Sequence, residues 1–117
     1  MSFDLYLKDP VTHETLQLDE PHQMKGGTYA VGGTTDCHLN VTYNYSPHFK
    51  EVGPDGLRSL SGMTGAESIP LLKGVAAKLK DDKHPDYWEA TEGNAKAALL
   101  QLVALAQMRP DGIWEVD

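Results

Sequence analysis

The chain has 117 residues, of which 40% are hydrophobic and 23% charged, with ten basic residues against seventeen acidic and a formal net charge of −7. That length suits one domain with its own core and is too short for two comfortable ones. The acidic balance disfavours a nucleic-acid polymer as partner, and the single cysteine, Cys37, excludes an internal disulfide and a CxxC-type zinc site.

Phe3 to Lys8 alternates apolar and polar residues, with Phe3, Leu5 and Leu7 on one face, as a half-buried strand does. Asp9 to Glu14 has turn chemistry, and Thr15 to Asp19 alternates again, so the two segments read as a β-hairpin with a long loop. Met24 to Thr35 then sets two Gly-Gly pairs, Gly26-Gly27 and Gly32-Gly33, around a short strand-like segment. Glycine pairs serve tight turns and also let the backbone approach a ligand closely. His38 to Tyr45 alternates as a strand, with Leu39, Val41, Tyr43 and Tyr45 on one face and the uncharged polar set His38, Asn40, Thr42 and Asn44 on the other.

Glu51 to Ser61 reads as loop. Thr64-Gly65-Ala66-Glu67 fits a capping box that opens a first helix, whose start Pro70 is expected to break or tighten. Pro85 to Trp88 is expected to make a short helical turn. Thr91 caps a second helix that runs to Arg109 and is the most apolar stretch of the chain. Leu99, Leu100, Leu102, Val103 and Leu105 point in nearly every direction, so this helix must be covered on most sides, by its own chain or by a second copy. Pro110-Asp111-Gly112 ends it before a last extended piece, Ile113 to Val116. Strands followed by helices imply a single α+β domain over residues 1–117, a small antiparallel sheet of about four strands packed by two main helices.

The opening MSFDLYLKDP has neither the basic nor the apolar region of a signal peptide. The longest apolar run is too short to span a bilayer. A cytoplasmic protein with no membrane partner is therefore expected. The five histidines show no HExxH or i, i+4 spacing, and a strand would put Cys37 and His38 of Asp36-Cys37-His38 on opposite faces. No catalytic residue, metal ligand or cofactor is expected.

Binding chemistry is better represented. The glycine-rich stretch can present main-chain N–H groups to phosphate oxygens, although it is neither a P-loop nor a dinucleotide fingerprint. Aromatics can stack on bases while Asn and Thr bond sugar or base edges without charge. The starts of both helices could hold an anion, or could simply be capped by their own Glu67 and Glu92. The candidate ligand-facing residues are Thr28, Tyr29, Thr34, Asn40, Tyr43, Asn44 and His48, with Lys25 or Lys96 balancing charge.

Five stretches, GGTYAVGGTT, LNVTYNYSPHF, MTGAESIPLL, YWEATEGNAKAAL and MRPDGIW, together resemble small uncharacterised proteins of tailed phages and prophages. The resemblance runs from DLYLKDP to Trp114 and implies a context: an accessory factor acting on the host cell, a group that includes inhibitors of bacterial defence. Two such types are relevant, sponges that sequester nucleotide immune signals, usually as homo-oligomers, and anti-CRISPR proteins that occlude a protein surface. The expectation is a non-enzymatic homo-oligomer that binds and sequesters a small phosphorylated (cyclic) nucleotide immune signal. The alternatives are a protein–protein inhibitor using the same sheet face, a hydrolase of such signals, and a structural role in the virion.

Overall fold

A computed structural model of the chain describes residues 2–23, 33–86 and 89–117. Among these, β1 (Ser2–Lys8), β4 (His38–Thr42) and β5 (Ile113–Val116) form one antiparallel sheet in the order β4-β1-β5, and β2 (Gln17–His22) pairs with β3 (Thr34–Asp36) in a second, two-stranded sheet. The helices are α1 (Gly65–Ala77) and α2 (Glu92–Met108), which pack on each other and on the three-stranded sheet. The class is α+β, as the order of elements implies.

Alternation along β1 sends Phe3, Leu5 and Leu7 into the core and leaves Ser2, Asp4, Tyr6 and Lys8 half-buried on the other face. Leu5 lies opposite both Leu39 and Val116, and Leu7 opposite Trp114, so the apolar faces of three strands coincide. A buried polar chain fastens β5 to α1: the Trp114 indole N–H donates to Ser68 Oγ at 2.8 Å, and that hydroxyl donates to the Gly65 carbonyl at 2.7 Å.

The hairpin expected between Phe3–Lys8 and Thr15–Asp19 shrinks to one bridge, Lys8 to Thr15, and a main-chain bond from Leu16 to Leu7 at 2.9 Å. Both edges of β1 are taken by β4 and β5, so β2 turns away and pairs with β3. The intervening turn is closed by Asp9, whose carboxylate accepts from the Val11 and Thr12 amides at 2.8 and 3.0 Å.

The expected strand from His38 to Tyr45 stops at Thr42. Residues Tyr43–His48 form a 3₁₀ helix, because the Thr42 hydroxyl accepts from the Asn44 amide at 3.2 Å and Pro47 has no N–H for a ladder. That turn brings Tyr45 and Phe49 into the core. The segment read as loop, Glu51 to Ser61, contains two further 3₁₀ turns, Lys50–Val52 (which begins one residue earlier) and Gly56–Leu60, which bury Val52, Leu57 and Leu60.

The capping box forms as expected: Thr64 Oγ1 accepts from the Glu67 amide at 3.0 Å, and the Glu67 carboxylate accepts from the Thr64 amide at 3.3 Å. Pro70 removes one main-chain bond without breaking α1, which runs unbroken from Gly65. Of the helical turn expected over residues 85–88, Pro85 and Asp86 form a bend, and Tyr87 and Trp88 lie outside the described residues.

Thr91 caps α2 through a bond from the Asn94 amide at 3.1 Å. Leu99, Leu102, Val103 and Leu105 are all buried by the protein's own chain, while Leu100 and Met108 remain 44% and 45% exposed. Most of the cover that α2 demands is therefore intramolecular, and the helix by itself no longer asks for a second copy. No helix among the described residues is long and apolar enough to cross a membrane.

Candidate binding face

The face of the three-stranded sheet turned away from the core is built by β1 and its neighbours. Because β1 is central, its polar residues meet both partners: Asp4 lies opposite Asn40, and Tyr6 lies between His38 and Glu115. The Tyr6 and His38 rings stack with centroids 4.4 Å apart and planes within 9°. Asp4 Oδ1 accepts from Asn40 Nδ2 at 2.8 Å and lies 2.9 Å from His38 Nε2, so the carboxylate orients the amide and the imidazole together. Asn40 Nδ2 also donates to Ser2 Oγ at 2.8 Å. At the other end of the face, Lys8 Nζ lies 4.8 Å from the Tyr6 ring centroid and 3.2 Å from the Glu115 carboxylate. A cleft of about 640 Å³ runs along β5 from Ile113 to Asp117 and is also lined by Lys8, Pro10, His13 and Ser61.

This face is acidic. Partial burial, and then the charges of Asp4, Asp117, Asp36 and Glu115, push the Tyr6 phenol above its ordinary range, so the ring stays neutral at physiological pH. The set offers a π-stack, a carboxylate and an amide held in register, with one cation at its end. That is recognition chemistry for a planar, amine-bearing ring.

Those of the residues expected at a ligand that are described do not converge. Lys25, Thr28 and Tyr29 lie outside the described residues. Asn40 is at the centre of the face. Thr34 is in β3, where its hydroxyl accepts from the Asp36 amide at 3.0 Å. Tyr43 packs on Phe3 with centroids 4.6 Å apart and accepts a bond from Arg58 at 3.0 Å. Asn44 is exposed on the 3₁₀ turn, displaced from the face by the break at Thr42. His48 Nε2 lies 2.8 Å from the Ala90 carbonyl and pins the loop before α2. Lys96 pairs with Asp81 at 2.8 Å in the same loop, and this pairing holds the Asp81 carboxyl below its usual range.

The start of α2 is occupied by its own chain. The Thr91 hydroxyl takes the Asn94 amide, and the Asp82 carboxylate accepts from the Gly93 amide at 3.1 Å. Its preference for an anion is met internally, by Asp82 and not by the expected Glu92, whose carboxylate accepts from the Lys80 amide at 3.4 Å. A second cleft, of about 690 Å³, lies between β2 and the end of α2. Its one guanidinium, Arg109, is already committed, to Asp111 at 2.9 and 3.1 Å and to the Gln17 carbonyl at 3.1 Å. Among the described residues no three His, Cys, Asp or Glu side chains are grouped to hold a metal.

Three contributors to the face, Asp4, Tyr6 and Lys8, escape the sequence because they look like the wet side of an ordinary strand. The available signal was an aromatic residue on that otherwise polar side; the partners across the sheet cannot be read without the register. Compared with family models, curated proteins and solved structures, the chain matches none of them.

Proposed function

We propose that this protein binds and sequesters a small phosphorylated nucleotide, without catalysis, as an accessory factor of a phage in its host cell. The observation that carries this is the stacked Tyr6–His38 pair beside the Asp4–Asn40 pair. A heterocycle that takes the place of Lys8 over the Tyr6 ring gains base–aromatic stacking of about 1–3 kcal/mol, and the carboxylate edge accepts from an exocyclic amine. The crowd of carboxylates favours the base over the phosphates as the part of the ligand that this face would take. Sequestration needs affinity alone, so no acid–base pair with separated pKa values is required.

The test is thermal unfolding of the purified protein with cyclic dinucleotides, cyclic trinucleotides and ADP-ribose-derived compounds. A ligand at a hundredfold over its Kd adds about 2.7 kcal/mol, a rise on the order of ten degrees for a chain of this size. Tyr6→Leu and Asn40→Ala are expected to remove the ligand-induced shift. A flat panel, or a shift that survives both substitutions, overturns the proposal.

The four carboxylates around Tyr6 favour one second reading, a protein inhibitor whose acidic face docks on a basic surface of a host protein. It predicts a stable complex that weakens steeply with salt and no nucleotide-induced shift.

A further inference from the structure

The base site at Tyr6 is held closed by the chain itself. His38 stacks on the Tyr6 ring at 4.4 Å, and the Lys8 ammonium lies over the same ring at 4.8 Å while pairing with Glu115 at 3.2 Å. Register puts these groups on one side of the sheet. Tyr6 and Lys8 alternate with the core residues Leu5 and Leu7, and on β5 Glu115 and Ile113 lie opposite Tyr6 and Lys8. The cleft along β5 borders the same groups, because Lys8, Ile113 and Glu115 all stand in its wall. At its Ile113 end it is walled by Lys8, Pro10 and His13. Asp117 is at the other end, about 13 Å along the strand. Among the described residues Lys8 is the one lysine or arginine that lines it.

We infer that Lys8 gates the base site and selects a phosphorylated ligand for it. The inference rests on the nucleotide binding proposed above. With His38 and Lys8 both on the Tyr6 ring, a base reaches that ring only when the ammonium leaves it. Leaving forfeits a cation–π contact and the Glu115 pair. The Glu115 side chain is 55% exposed, so water replaces most of what the carboxylate loses. The displaced ammonium is the group that needs a new partner. A bare nucleoside supplies none. A nucleotide supplies its phosphate, which fits at the Ile113 end of the cleft, within a lysine's reach, away from Asp117 and beside the His13 imidazole as a second donor. Lys8 follows Tyr6 by two residues on one face, a rise of about 7 Å, which suits one sugar between base and phosphate. The ligand class narrows to a nucleotide with a phosphate on the sugar that carries the stacked base, alone or repeated in a cyclic oligonucleotide. Lys8 takes the charge-balancing role expected of Lys96, which is paired with Asp81.

Lys8 supplies its own NMR signal. The ring current of Tyr6 should shift the Lys8 ε-CH2 protons upfield in the free protein, and Tyr6→Leu should abolish that shift. On titration with adenosine 5′-monophosphate these protons are expected to return to their ordinary position as binding saturates. The monophosphate should bind at least about ten-fold more tightly than adenosine. Lys8→Met keeps the stem and removes the charge. It should strengthen adenosine binding about two- to five-fold and bring the two ligands within about two-fold of each other. Glu115→Gln, which loosens the gate and keeps the ammonium, should preserve the preference for the phosphate. Lys8 protons unshifted in the free protein, or still shifted when the monophosphate saturates, overturn the gate and leave nucleotide binding standing. A preference for the phosphate undiminished in Lys8→Met overturns the selection. A shifted Lys8 with no response to adenosine, the monophosphate or the wider nucleotide panel defeats nucleotide binding, and the selection with it.

Discussion

Asn94 interrupts the most apolar helix of the chain, and replacing it separates two roles that a polar residue can have there. Its side chain is 8% exposed, and its Nδ2 donates to the Asp86 and Glu89 carbonyls at 3.2 and 3.0 Å while its Oδ1 accepts from the His84 amide at 3.2 Å. Three bonds at about 1 kcal/mol each would be lost in Asn94→Ala. Alanine returns roughly 0.5 kcal/mol of helix propensity, and water reaches part of the exposed loop, so the expected net loss is about 2 kcal/mol. For a chain of this size that lowers Tm by about 8 °C. The loop should also lose order selectively: hydrogen exchange at the His84 amide should accelerate before that of the α2 core amides. Asn94→Asp keeps the acceptor for His84 but turns a second oxygen toward two carbonyls, and is expected to cost at least as much as alanine. A Tm within about a degree of wild type for both variants, with His84 exchange unchanged, would refute the account of Asn94 as the anchor of the loop before α2.

Two glycines of helical residues should respond in opposite directions. A Cβ on Gly74 meets nothing within 4 Å, so Gly74→Ala should stabilise by about 0.5–1 kcal/mol, whereas on Gly93 it would lie 2.5 Å from the Lys83 amide nitrogen, so Gly93→Ala should destabilise and loosen the same loop. Equal urea midpoints for the two variants would count against that packing. On the acid side, hydrogen bonds from Arg109 to Asp111, from Lys96 to Asp81, and from the Thr12 and Val11 amides to Asp9 hold three carboxyls below their ordinary range. Stability from such groups is present above the unfolded value of about 4 and is lost as pH falls through the lowered folded values, so urea midpoints should drop between about pH 4 and pH 2 and drop less in Asp111→Asn. Burial, opposed in part by Arg109, pushes the Cys37 thiol up to about 11. A disulfide reagent at about pH 8 should label it slowly in the native protein and fast in urea, and stability should decline as pH rises from about 8.5, where the unfolded thiol begins to ionise first. Native labelling at the unfolded rate would show Cys37 to be accessible.

Local chemistry was legible wherever it depends on neighbours in the chain. The alternation of Phe3, Leu5 and Leu7, the Thr64–Glu67 capping box, the Thr91 cap and the stop at Pro110 to Gly112 each act over a few residues, so α1, α2 and β1 could be placed from the sequence. The demand that α2 be covered was legible as well, because it follows from an apolar circumference. What covers it was not. The same holds for the face: Asn40 could be singled out by its alternation, but its partners Asp4 and Ser2 are 36 and 38 residues away. Thr42 shows the limit from the other side, since a hydroxyl bonding the amide two residues on ended a strand that hydrophobic alternation alone would have continued to Tyr45. That competition is decided by whether Tyr45 and Phe49 find room in the core, which only the folded chain determines. Arg58 and Tyr43, fifteen residues apart, meet for the same reason: the turn that holds Arg58 is seated by Leu57 and Leu60. Element type is a local property of side chains, whereas pairing, register and the meeting of distant polar groups depend on which apolar surfaces can be buried together.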